Sequence, residues 1–121
     1  MVYKLSTELT EIKCEACKVD APVLSNEEIS EFLPKIPSWA AIEDDGIKRL
    51  ACSFVFLNYK QAINFTNLVA GLAEEEDHHP EIILEWGKVT VSWWSHKIKG
   101  LHKNDFICAA KSDEIYKSLE L

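Results

Sequence analysis

The sequence has no apolar run approaching the roughly 18 to 20 residues of a membrane-spanning helix. Residues 1–13 alternate polar and apolar and lack the apolar stretch of a signal peptide. Cations are in short supply, with 13 Lys and Arg against 20 Asp and Glu and a net charge of −7. That balance argues against a chain built mainly to hold nucleic-acid phosphates, which needs clustered cations. It argues equally against an anionic membrane surface as the main partner. A small anionic or neutral ligand in a local pocket remains compatible with it. Internal repeats and low-complexity tracts are missing as well. Cysteines number four, and a chain of 121 residues buries enough core to stand without disulfide staples. The expectation is a reduced, cytoplasmic protein.

What is present is a single domain's worth of chain, 47% hydrophobic and 27% charged. Residues 1–24 show no sustained period and read as an irregular arm; residues 25–121 read as the domain. Ser25 followed by Glu28 is a capping-box signature. Ile29, Phe32, Leu33 and Ile36 follow at helical spacing, with Pro34 and Pro37 keeping that helix short. Trp39 is a core anchor, and a strand is expected near Trp39 to Ile42 before the turn at Glu43-Asp44-Asp45-Gly46. Ile47 to Phe56 alternates as a strand, with Leu50, Cys52, Phe54 and Phe56 on one face and Arg49, Ala51, Ser53 and Val55 on the other.

Asn58 to Ala73 carries two helical stripes. One is Tyr59, Ala62, Ile63, Thr66, Val69, Ala70 and Ala73; the other is Phe65, Leu68 and Leu72. A helix apolar on two sides has two surfaces to cover, here a sheet and a second helix or subunit. A hairpin is expected next, with Gly87-Lys88 as a type II′ turn pairing Trp86 with Val89, Leu84 with Val91 and Ile82 with Trp93. Asn104 or Asp105 then caps a final helix running to about Leu119. The order helix-strand-strand-helix-strand-strand-helix makes an α+β domain: a four-stranded antiparallel sheet with helices packed on one face.

Chemistry is concentrated in one stretch. Glu74-Glu75-Glu76-Asp77 runs directly into His78-His79-Pro80, and His96 and His102 follow. Imidazole titrates near neutrality, and carboxylates nearby favour its cation, so these are the parts of an acid–base site. The plainer alternatives are a solvated acidic surface and structural histidines. Trp86, Trp93 and Trp94 read as core or interface rather than a stacking platform. A metal held by His78, His79 and His96 is disfavoured, because adjacent histidines lack the i, i+4 spacing that shares a helical face. Cys14-Glu15-Ala16-Cys17 is a lone C-x-x-C pair, readable as half a zinc site, a redox pair or bystander thiols; a second matching pair is missing.

Glu74, His78-His79-Pro80, Trp86, His96 and Asp105 fall at the spacing of the pterin-4a-carbinolamine dehydratases, and the chain resembles that family over about residues 25–119. The text from Glu85 to Val91, Trp93-Trp94-Ser95-His96 and Cys14-Glu15-Ala16-Cys17 is similar to the bacterial branch associated with phenylalanine hydroxylase. The resemblance implies dehydration of 4a-hydroxytetrahydropterin to quinonoid dihydropterin, with pterin as substrate and no cofactor or metal. It implies His78, His79, His96 and Asp105 as catalytic residues: His78 and His96 as acids toward the hydroxyl, His79 in binding and proton handling, and Asp105 orienting an imidazole. Glu74, Asp77, Pro80, Trp86 and Ser95 would bind substrate. A homodimer or homotetramer and phenylalanine hydroxylase are the implied partners, with no nucleic acid or membrane. The alternative is a non-catalytic protein-binding or regulatory dimerisation partner, with the 58–73 helix as its contact surface. The chain departs from the family at Ile82, where many relatives have an aromatic, and at Lys97, which reverses a rim charge. His102 lies outside the signature and reads as surface.

Overall fold

The structure is a computed structural model that describes residues 9–11 and 22–121. Cys14 and Cys17, and most of the arm, lie outside the described residues. Within the arm, Leu9 is buried in the core, and the Leu24 amide donates to the Leu101 carbonyl at 2.8 Å.

Helix α1 spans Asn26–Phe32, and its capping box forms as the sequence predicts: the Glu28 amide donates to Ser25 Oγ, and the Ser25 amide to Glu28 Oε1. A 3₁₀ turn over Leu33–Lys35 takes Pro34 where its missing N–H costs nothing. Strands β1 (Ala40–Asp44) and β2 (Ile47–Val55) form a hairpin closed by Asp45 and Gly46, both at positive φ. Helix α2 runs over Tyr59–Glu76, with the Asn58 side chain accepting from the Gln61 amide. Strands β3 (Glu81–Glu85) and β4 (Lys88–Trp93) follow, then helix α3 over Lys103–Ser118. The sheet is antiparallel throughout, in the order β1-β2-β4-β3.

The expected face of β2 is the buried one. Leu50, Cys52 and Phe54 pair with Trp93, Val91 and Val89 of β4. Phe65 and Val69 from α2 and Phe106 and Ile107 from α3 close the core. Each such side chain fully buried contributes about 1.5–3 kcal/mol. Trp39 Nε1 donates to Asp113 Oδ1 at 2.9 Å. Burial outweighs that bond and pushes the Asp113 carboxyl up to about 6. Burial, then the Asp113 charge, pushes the Cys52 thiol up to about 12.

Three expectations need correction. The hairpin turns at Trp86-Gly87, pairing Leu84 with Val89 and Ile82 with Val91. The shift is by two residues, so every side chain keeps its face, but Trp86 leaves the core and sits 69% exposed at the tip. Gly87 has no positive φ; it is small because a Cβ there would stand 3.0 Å from the Phe56 carbonyl oxygen. On α2, Phe65 is fully buried, and the large apolar residues left outside are Tyr59, Ile63 and Leu68, drawn from both expected stripes. On α3 the N-cap is His102, whose Nδ1 accepts from the Asn104 amide, while Asp105 is the return partner at the third helical position.

Candidate active site

The site is built where α2 ends. Asp77 adopts a left-handed conformation (φ 50°), which Asp tolerates better than most residues. Its amide donates to the Glu74 carbonyl at 3.3 Å and the His78 amide to the Ala73 carbonyl at 3.0 Å, closing the helix end. Pro80 then restricts His79 to extended backbone. Neighbouring side chains on extended chain point to opposite sides, so one histidine goes in and the other out.

His78 goes in. Its ring is 4% exposed and stacks on Trp93, centroids 5.6 Å apart and planes 17° apart. Its Nε2 meets Asp105 Oδ1 at 2.6 Å. Asp105 is itself wholly buried, and its other oxygen accepts from Ser95 Oγ and from the His102 amide, each at 2.9 Å. Three donors converge on one buried carboxylate and make a buried network. Because that carboxylate only accepts, the His78 hydrogen sits on Nε2.

His79 goes out, with its side chain 55% exposed and Nε2 donating to Glu74 Oε2 at 3.1 Å. His96, just past β4, is exposed too, and its Nε2 donates to the His79 carbonyl at 3.0 Å. A carbonyl only accepts, so the neutral His96 ring carries its hydrogen on Nε2 and presents Nδ1 as the basic nitrogen. His79 and His96 therefore share one rim, with the buried His78-Asp105 pair behind it. Among the described residues, no three His, Cys, Asp or Glu side chains group as metal ligands.

The remaining sequence-derived residues are scattered in role. Glu74 touches His79, whereas Glu76 turns away and pairs with Lys111 of α3 at 3.0 Å. Asp77 is exposed and shapes the chain. Pro80 is half-buried and leads into β3. Ser95 is buried, and its hydroxyl is committed to Asp105 rather than offered to a ligand. Trp86 lies at the far tip of the hairpin, separated from Pro80 by the whole of β3, roughly 16 Å at about 3.3 Å per residue. The structure does not bring it to the histidines within one chain. His102 is half-buried as a helix cap rather than free at the surface.

Sequence reasoning missed Arg49. Its guanidinium carbon lies 3.9 Å from the Trp94 ring centroid, and its nitrogens pair with Asp44 (3.4 Å) and with Glu81 (3.3 Å). Trp94 in turn contacts His96, centroids 4.5 Å apart. The available signal was a cation two residues before Ala51 on the open face of β2.

An imidazole pair on an open rim, backed by a buried imidazole–carboxylate pair, brings together groups of the kind that acid–base chemistry uses, on an α+β scaffold. The chain belongs to the pterin 4 alpha carbinolamine dehydratase family, whose family model matches residues 22–115. It is 60% identical over 107 residues to a Photobacterium profundum protein named for pterin-4-alpha-carbinolamine dehydratase, covering 88% of this chain and 96% of that one. Its fold is similar to a solved transcriptional coactivator/pterin dehydratase from Brucella melitensis. There the TM-score is 0.71 and the identity 30%, over 78% of this chain and 98% of the other. It is also similar in fold to a pterin dehydratase-like protein described as a RuBisCO assembly factor in the alpha-carboxysome. That likeness has a TM-score of 0.56 and 24% identity, over 65% of this chain and 89% of the other.

Proposed function

We propose that this protein dehydrates 4a-hydroxytetrahydropterin to quinonoid dihydropterin and water by histidine acid–base catalysis. The reaction breaks the C4a–O bond and removes one ring proton. Hydroxide is a poor leaving group, so an imidazolium protonates it as it departs, while a neutral imidazole takes the ring proton. The observation that carries the reading is the joined, exposed pair His79 and His96, with His96 Nε2 donating to the His79 carbonyl and His79 Nε2 to Glu74. That arrangement leaves Nδ1 of each neutral ring as its basic nitrogen. The resemblance gives the acids' roles to His78 and His96 and binding and proton handling to His79; the burial of His78 against Asp105 supports a positioning role for it. Neither a redox cofactor nor a metal is needed for this chemistry. Recycling of pterin for phenylalanine hydroxylase is the setting the resemblance implies, and the cytoplasm is the compartment proposed for it.

Stopped-flow absorbance on freshly generated carbinolamine tests it. His79→Ala and His96→Ala are each expected to slow dehydration by about 10²- to 10⁴-fold. No acceleration by the wild type over buffer would sink the reading.

A second reading rests on Tyr59, Ile63 and Leu68, apolar side chains of α2 left at the surface. The Brucella melitensis relative is described as a coactivator as well as a dehydratase. In this reading that helix face holds a second copy of the chain, as dimer or tetramer, or a regulatory partner. Sedimentation of wild type and Ile63→Glu at micromolar concentration tests assembly; a monomer in both cases would exclude self-association.

A further inference from the structure

We propose that Arg49 is a positioning residue for His96, acting through Trp94. The inference rests on the acid–base reading of His96 given above. Arg49 stands on the sheet face that no described helix covers, one step along the ladder from the last β2–β4 pair, Leu50 with Trp93. That register aims it across at Trp94, and its guanidinium lies on the indole at 3.9 Å. Trp94 contacts His96 with ring centroids 4.5 Å apart and planes at 42°. His96 is thus held from two sides, by Trp94 and by the His79 carbonyl. Arg49 reaches both supports, because its other partner, Glu81, opens β3 directly after His78-His79-Pro80.

Stability alone does not account for this arginine. Its side chain is only 10% exposed, and Nε is buried with no hydrogen-bond partner among the described residues, a cost the fold carries. Its carboxylate partners Asp44 and Glu81 are about half or more exposed, so solvent screens both pairs. An apolar side chain would cover the face without the orphaned donor. What the guanidinium adds is planarity and direction: two carboxylates fix its fork, and the flat cation fixes the indole beneath it. A histidine on an open rim needs such a support, because a misplacement of about 1 Å costs on the order of 10²-fold in rate.

The test is a double-mutant cycle on the full chain, reading kcat and KM for carbinolamine dehydration. Arg49→Met is expected to lower kcat on the order of tenfold with KM changed less than about twofold, and Arg49→Lys to recover only part. In the His96→Ala background Arg49→Met should change kcat by less than about twofold. Equal losses in both backgrounds would overturn the proposal, since a general structural effect acts regardless of His96. If His96→Ala keeps the wild-type rate, the acid–base reading of His96 falls and the inference with it. If His96→Ala is slow and folded Arg49→Met is not, the inference alone falls. Should Arg49→Met not fold, Trp94→Leu breaks the same chain of contacts and is judged by the same cycle.

Discussion

Replacing Asp105 by Asn should move the hydrogen on His78 from one ring nitrogen to the other. Asp105 is closed to solvent, and its oxygens take three donors: His78 Nε2–H at 2.6 Å, and Ser95 Oγ–H and the His102 amide at 2.9 Å each. An amide of the same shape has one accepting end. The His102 donor is backbone and cannot reverse, so the Asn oxygen must take that side, where it also receives Ser95. The NH₂ then faces His78, whose Nε2 has to accept, and the ring goes over to its Nδ1–H tautomer.

One charge-assisted bond is lost, at about 1.5–3 kcal/mol. Asp105→Ala removes the acceptor for all three donors. At about 1–3 kcal/mol per buried orphan, with some relief by relaxation, the loss is about 3–6 kcal/mol. That is a large part of the roughly 5–15 kcal/mol that holds a domain together. Urea unfolding followed by tryptophan fluorescence measures both, and nitrogen-15 spectra of the imidazole report the tautomer. Asp105→Asn with unchanged stability, or with His78 still protonated at Nε2, would refute the reasoning.

Two further outcomes follow from buried charges elsewhere. The Asp113 carboxyl is raised to about 6 from its ordinary 3.8, so its contribution to stability is full below about pH 4 and is lost as pH rises through 6. Asp113→Asn keeps an oxygen for Trp39 and has no charge to bury. Its stability relative to wild type should rise by about 1–3 kcal/mol between pH 4 and pH 7.5, after allowing for partial exposure; a flat difference in urea titrations would contradict this. Lys111→Ala removes the cation paired with Glu76, whose side chain is only 3% exposed, and should cost about 1.5–3 kcal/mol. Lys111→Met with Glu76→Leu should recover most of that, and equal losses in single and double variants would refute the buried-pair account.

Local signals were legible in the sequence, and non-local ones were not. Ser25 with Glu28 writes its own helix start because the bonds span three residues. The alternation of β2 named its buried face because a period of two needs no partner. The β3–β4 register failed for the same reason: a shift of two residues leaves every face unchanged, so hydrophobic pattern cannot detect it. Only Trp86 changes surroundings, and the hairpin carries it away from the histidines that share its motif. His102 was missed as a cap because imidazole is not among the usual capping side chains. Arg49 was placed on the correct face, but its contact with Trp94 depends on β2 pairing with β4, a fact no window of sequence holds.

The His-His-Pro run admits a stronger reading than its spacing suggests. Pro80 keeps His79 extended, and extended neighbours point to opposite sides, so the two rings have different surroundings. Which ring turns inward is settled by Asp105, wholly buried and already bonded to Ser95 and to the His102 amide, which needs one further donor and receives His78. That bond ties the α2–β3 loop to α3, and the loop in turn supplies the His79 carbonyl that holds His96. Loss of activity in His78→Ala is therefore expected even if His78 never touches substrate. The distinguishing measurement is the ratio of effects. If His78 only positions, His78→Ala should lower unfolding stability and slow dehydration together, whereas His79→Ala, removing a ring at the exposed rim, should slow dehydration while leaving the urea midpoint nearly unchanged. A His78→Ala protein with wild-type stability and a rate down by 10²-fold or more would instead make His78 a direct participant.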